Sequence, residues 1–196
     1  ITSSFTSSLT SKDIDVPEGF YEEESMKQTV VPNRNAMFSS IAYGIALSIA
    51  NENRQEVKLA LGVHSGDHAI YPDCRPEFYE KLFDCFSTGN WDGHLVKPYL
   101  PYIDGDKTTI LQDALISCEK LKLNFDEIFK NTNTSYAPDI KGRSSGKTGS
   151  DIERILAFHE IGRKDPVRYK ESWEQVLSNA LKVQKEFREK SNDKQL

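Results

Sequence analysis

Cysteine is scarce in this chain, and what there is cannot build a scaffold. Three cysteines stand at positions 74, 85 and 118, an odd number with no Cys-x-x-Cys spacing. This argues against a disulfide framework and for a reducing compartment. The expected location is cytoplasmic, or a host cytosol in the case of a secreted effector. No Cys/His cluster has zinc-ligand spacing. His64 and His68 lie one helical turn apart in number, but Gly62, Gly66 and Asp67 interrupt any helix that would align them. No metal and no cofactor is therefore expected. Long apolar runs are also missing: nothing approaches the ~18 residues of a membrane span, and the stretch Ile41–Ile49 is interrupted by Tyr43, Gly44 and Ser48. A basic excess is absent too. With 25 Lys and Arg against 30 Asp and Glu, the net charge of -5 disfavours a general nucleic-acid binder. An initiator methionine is lacking, which suggests a fragment or trimmed product. No internal repeat is visible.

What is present is globular in composition. The 37% apolar and 28% charged content of 196 residues suits one domain with a helical appendage. The Ser/Thr-rich residues 1–12 read as disordered, and 1–27 as a disordered or loosely packed leader. Met37 to Ala50 reads as a helix, with Met37, Ile41, Ile45 and Ile49 forming a buried face beside Phe38 and Ala42. Asn33 or Asn35 is placed to cap it. Glu52 to Leu61 is expected to continue helically to a stop at Gly62. Pro76 to Phe86 is an amphipathic helix with Pro76 in its first turn. Two prolines make Lys97 to Ile103 extended. Lys107 to Lys120 is helical, Leu121 to Phe125 a short strand, and residues 130–151 a long mobile loop. Glu153 to Ile161 suits a strand carrying His159, and Tyr169 to Lys190 a charged amphipathic helix. Helices around a small sheet indicate an α+β fold.

The most informative run is Asn33-Arg34-Asn35-Ala36-Met37-Phe38-Ser39-Ser40-Ile41, a polar loop leading into an apolar helix. A thiol at position 36 would sit at a helix N-terminus, where unpaired N–H groups and the helix dipole favour the thiolate. The run resembles the cysteine box of the ovarian-tumour (OTU) family of cysteine proteases. Asn35, Met37, Phe38 and Ile41 fit the family pattern. Ala36 stands at the nucleophile's position, Asn33 where the family has Asp and Arg34 where it has Gly. Trp91-Asp92-Gly93-His94 is similar to the family's Trp-Gly-Gly segment. The resemblance implies a papain-related fold, a small central sheet flanked by helices, over residues 28–170. A C-terminal amphipathic helix would follow over 171–196.

It further implies a deubiquitinase that hydrolyses the bond after ubiquitin's C-terminal glycine, with ubiquitin or polyubiquitin as partner. Ala36 would mark the nucleophile's place, His159 the general base with His94 as runner-up, and Asn33 the orienting group, with Asp165 as an alternative. Arg34 and Asn35 would shape the oxyanion loop. Met37, Trp91, Asp92, Gly93 and His94 would meet substrate. Ala36 is then an inactivating replacement or the mark of a natural pseudoenzyme; an accidental likeness would make it a small core residue. The alternative function is a non-catalytic ubiquitin- or protein-binding module. Gly142 to Thr148 looks like a phosphate loop but is one residue short, and reads as a flexible basic loop.

Overall fold

The computed structural model describes residues 6–11 and 13–193. They form two compact units, one from the segments before Val31 and after Asp106, the other from Val31–Asp106. The second unit begins with α1 (Arg34–Asn53) and continues through β1 (Val57–Ala60), α2 (Pro76–Thr88) and β2 (Val96–Tyr99). The strands pair in parallel, Val57 opposite Val96 and Ala60 opposite Tyr99. Parallel neighbours require a crossover, and here α2 supplies it. Tyr43, Ala46, Leu47, Tyr79, Phe83 and Val96 form the core between α1, α2 and the strands.

Helix α1 departs most from expectation. Phe38, Ile41 and Ile45 are 64%, 65% and 59% exposed, while Ser39, Tyr43, Ala46, Leu47 and Ala50 face inward. Between Arg34 and Glu52 the helix has no charged residue. A helix apolar all round gives periodicity no polar face to orient it. Specific bonds orient it instead. The Tyr43 hydroxyl donates to the Gly93 carbonyl at 2.8 Å, inside a core where it needs a partner. The helix does not continue to Leu61. Arg54 takes the left-handed conformation at φ 51° and closes it, and the alternation of half-buried Val57 and Leu59 with exposed Lys58 and Ala60 is that of a strand. The side-chain cap expected from Asn33 is also missing: it stands at the N-cap with φ 59° and no side-chain bond to the helix.

The first unit is helical: α3 (Lys107–Leu121), α4 (Phe125–Phe129), α5 (Gly149–Glu160) and α6 (Trp173–Asp193). The strand expected at Glu153–Ile161 is helix α5. Thr148 and Asp151 form a reciprocal capping box at its start, the Thr-x-x-Asp signal of a helix N-terminus. Ile152, Ile155 and Phe158 then face the core at helical spacing. Nor is 121–125 a strand: Lys122 has φ 55°, and Asn124 caps α4 by accepting from the Glu127 N–H. Within the expected leader, residues 1–5 and 12 lie outside the described residues. Ser7 and Ser8 are buried, and the Ser8 N–H donates to the Gln28 carbonyl at 2.8 Å. The observed structure is mostly helical, with a two-stranded parallel sheet among the described residues. The expected helix-flanked α+β sheet of papain type is thereby corrected.

Candidate ligand site beyond strand β1

In proteins built on parallel strands, ligands gather outside the carboxyl ends of the strands. The chain leaves β1 through Leu61, Gly62 and Val63, and these residues wall a cavity of about 310 Å³. Arg34, Asn35, Phe38 and Ser39 from the first turns of α1 form another wall. Asp67, Cys74 and Tyr79 complete it. The segment 64–75 is held by two short 3₁₀ turns, Ser65–Asp67 and Pro72–Cys74. Ser65 anchors it: both its N–H and its hydroxyl donate to the Gly105 carbonyl, each at 2.7 Å. Arg75 Nε donates to the His68 carbonyl at 2.8 Å.

The two walls are stitched together. The first N–H groups of a helix have no intrahelical acceptor. Here the Asn35 N–H donates to the Asp73 carboxylate at 3.3 Å, and a carboxylate at a helix N-terminus is favoured by the dipole as well. The Asn35 side-chain amide donates to the Asp73 carbonyl at 3.3 Å and to Cys74 Sγ at 3.4 Å. His64 Nε2 lies 3.5 Å from the Asp67 carboxylate, both side chains largely buried.

Burial, reinforced by Asp67 and Asp73, pushes the Cys74 thiol up to about 12. Burial raises the Tyr79 phenol too. Cys74 therefore stays a protonated thiol at neutral pH and is no nucleophile. Native protein treated with a thiol reagent at pH 8 is expected to modify exposed Cys85 first, with Cys74 reacting only on unfolding. Peptide mapping of the labelled protein checks this, and early labelling of Cys74 would contradict it. The sign for stability follows from proton counts. Above pH 9 an unfolded thiol has lost its proton while the folded one keeps it. The contribution of Cys74 is thus whole below about pH 9 and is lost as pH rises toward about 12.

Of the residues singled out from sequence, Arg34 and Asn35 line this cavity. Asn33, Ala36 and Met37 flank it on the same turns of α1. Trp91 is 94% exposed. Asp92 has φ 58°. Gly93 is buried, and a Cβ there would lie 2.6 Å from the Ser87 carbonyl oxygen. His94 lines a separate cavity with Glu80, Asp84 and Lys97. His159 is exposed near the end of α5, in the other unit. Asp165 serves as the buried partner of Arg154. Ser39, Asp67, Asp73 and Cys74 carry no motif that marks them in the sequence. The available signal is the dense run of Gly, His, Asp, Pro, Cys and Arg from Gly62 to Arg75, lying between a strand and a helix. Among the described residues no group of three or more His, Cys, Asp or Glu is arranged to hold a metal ion, and no helix is long and apolar enough to cross a membrane.

The βαβ crossover carries a cavity of mixed polar and apolar lining beyond its first strand, the place where proteins of α/β type gather small ligands. Comparison with known proteins names the family. The model described as "Queuosine biosynthesis protein QueC" matches residues 1–162. The chain is 46% identical over 163 residues to 7-cyano-7-deazaguanine synthase 1 of Colwellia psychrerythraea, covering 83% of this chain and 66% of that protein. It is 47% identical over 164 residues to the 7-cyano-7-deazaguanine synthase of Alteromonas mediterranea, covering 83% and 66%. With that of Methanoregula boonei it shares 43% over 164 residues, covering 83% and 67%. The chain belongs to the QueC family. It spans about two thirds of the length of the curated relatives it matches. No solved structure matches it.

Family membership overturns the OTU resemblance and what it implied. The chain is not a cysteine-type deubiquitinase inactivated at Ala36, nor a ubiquitin-binding module, and ubiquitin and polyubiquitin fall away as partners. The likeness rested on a few residues at one helix start. That start is indeed elaborated, but its polar groups bond to the 64–75 segment.

Proposed function

We propose that this chain carries the heterocycle-binding part of a 7-cyano-7-deazaguanine synthase, and that the cavity beyond β1 holds the deazaguanine ring. One observation carries the assignment: an aromatic ring, a carboxylate, a guanidinium and a hydroxyl, from Phe38, Asp67, Arg34 and Ser39, line a cavity of about 310 Å³ at the carboxyl end of a parallel strand. That volume lies at the small end of ligand pockets and suits a flat bicyclic base. The Phe38 ring, exposed at the rim, offers a stacking face for a heterocycle. The Asp67 carboxylate offers acceptors for the ring N–H and the exocyclic amine of a guanine-like edge. A carboxylate has several lone-pair sites, and its approach to His64 does not exhaust them. Arg34 supplies positive charge. Cys74, held as a thiol, and Asn35 shape the wall. A cytoplasmic setting belongs to the same proposal, in keeping with free thiols at Cys74, Cys85 and Cys118.

Calorimetric titration of the full chain with 7-cyano-7-deazaguanine tests this. Asp67→Asn exchanges a charged acceptor for an amide that also presents donors to the ring's own donors. Hydrogen bonds to charged groups are worth roughly 1.5–3 kcal/mol, so affinity is expected to fall by about tenfold or more. Circular dichroism should show the helices intact. Unchanged affinity in the Asn variant, or no binding by the parent chain, would overturn the assignment of the cavity.

A further inference from the structure

Ser39 lies on the wall of the same cavity, is 1% exposed, and its hydroxyl has no hydrogen-bond partner among the described residues. A hydroxyl removed from water without a new partner destabilises the fold. Helical serines commonly avoid this by bonding to the carbonyl one turn back. Ser48 on the same helix does so, donating to the Gly44 carbonyl at 2.9 Å. Ser39 does not. The wall thus keeps an unused O–H donor at a site where alanine would fit with less cost. Such a cost makes sense where a ligand completes the bond.

We infer that the Ser39 hydroxyl is a specificity-determining contact, donating a hydrogen bond to an acceptor on the bound heterocycle. This rests on the reading of the cavity as the base site. A 7-cyano-7-deazaguanine has three such acceptors within its outline, the ring carbonyl, the unprotonated pyrimidine nitrogen and the cyano nitrogen. Stability and affinity should respond to loss of the hydroxyl in opposite directions, a signature that a merely structural serine does not have.

The test compares the full chain with Ser39→Ala and with a control, Ser8→Ala. Ser8 is also buried, its hydroxyl without a partner among the described residues, but it lies in the other unit. Each protein is melted without ligand, then titrated with 7-cyano-7-deazaguanine and with 7-deazaguanine, which lacks the cyano group. Both alanine variants are expected to melt about 2–4 °C higher. Only Ser39→Ala should lose affinity, by about fivefold to tenfold, the worth of one hydrogen bond. Loss confined to the cyano compound assigns the bond to the cyano nitrogen, and equal loss for both assigns it to an acceptor of the ring itself, the carbonyl or the pyrimidine nitrogen. Unchanged affinity in Ser39→Ala, or a lower melting temperature for it, overturns the inference. If Asp67→Asn weakens binding while Ser39→Ala does not, the cavity assignment stands and the role of Ser39 falls. No binding by the parent chain removes both.

Discussion

Replacing Asp165 with alanine is expected to destabilise the chain by about 3–5 kcal/mol, the cost of leaving one member of a buried ion pair unmatched. Arg154 on α5 meets Asp165 through two bonds, Nε to Oδ2 at 2.5 Å and a terminal nitrogen to Oδ1 at 2.9 Å. Their side chains are 7% and 0% exposed. The carboxylate also accepts from the Tyr169 hydroxyl at 2.7 Å and the Val167 N–H at 3.1 Å. The guanidinium reaches Thr132 Oγ1 at 2.8 Å and the Phe129 carbonyl at 3.3 Å. One pair therefore ties the end of α4, the body of α5 and the approach to α6. Alanine at 165 strands a cation and two further donors. Urea unfolding followed by circular dichroism measures the effect. Arg154→Met with Asp165→Leu should recover much of it, because two apolar groups leave no charge unmatched. A loss under about 1 kcal/mol in the single variant, far below the cost of an unmatched buried charge, would show that water enters and solvates Arg154.

The second large effect is expected at Asp151, whose replacement by alanine should cost about 3 kcal/mol. Asp151 is 1% exposed. Its Oδ2 accepts from Ser145 Oγ at 2.9 Å, the Gly146 N–H at 3.1 Å and the Thr148 N–H at 3.4 Å. These donors belong to the run that resembles a phosphate loop. They are taken by the chain's own carboxylate, so the run is a helix cap with a built-in anion. Asp151→Asn should recover only part of the loss, since an amide keeps one acceptor oxygen but loses the charge. Hydrogen exchange at Gly146 and Thr148 separates a local effect from a global one. Protection retained in the alanine variant would remove Asp151 from the centre of this cap.

The helices are legible in the sequence where a polar face and a punctuating residue coincide. Pro76 with the stripe Phe78, Leu82 and Phe86 predicts α2, which runs Pro76–Thr88. The stretch from Lys107 and the charged C-terminal stretch are likewise helices. Local pattern misleads where one period must be chosen without polar contrast. β-Branched and aromatic residues crowd Ile152 to Phe158 and favour a strand, although Thr148 and Asp151 already mark a helix start. The inward face of α1 is hidden because every face of that helix is apolar. The candidate site is half visible. Arg34 and Asn35 stand out through their place at a helix start, whereas Ser39, Asp67 and Cys74 belong to it only through contacts far apart in sequence.

The amino-acid sequence by itself determined that the chain has the composition of folded protein with no long apolar span, that its cysteines form no scaffold, and that helices outnumber strands. These properties follow from composition and local periodicity, which act within a few turns of chain. Tertiary structure alone decided which side of α1 is buried, that β1 and β2 pair in parallel, and that residues near 35 and near 73 bond to each other beside one cavity. Parallel pairing needs a crossover, and the carboxylate that caps α1 comes from Asp73 on a distant turn. No local pattern encodes such a meeting. It is set by the three-dimensional closure that buries Tyr43, Tyr79 and Phe83 together and thereby places the cavity beyond the end of the strand.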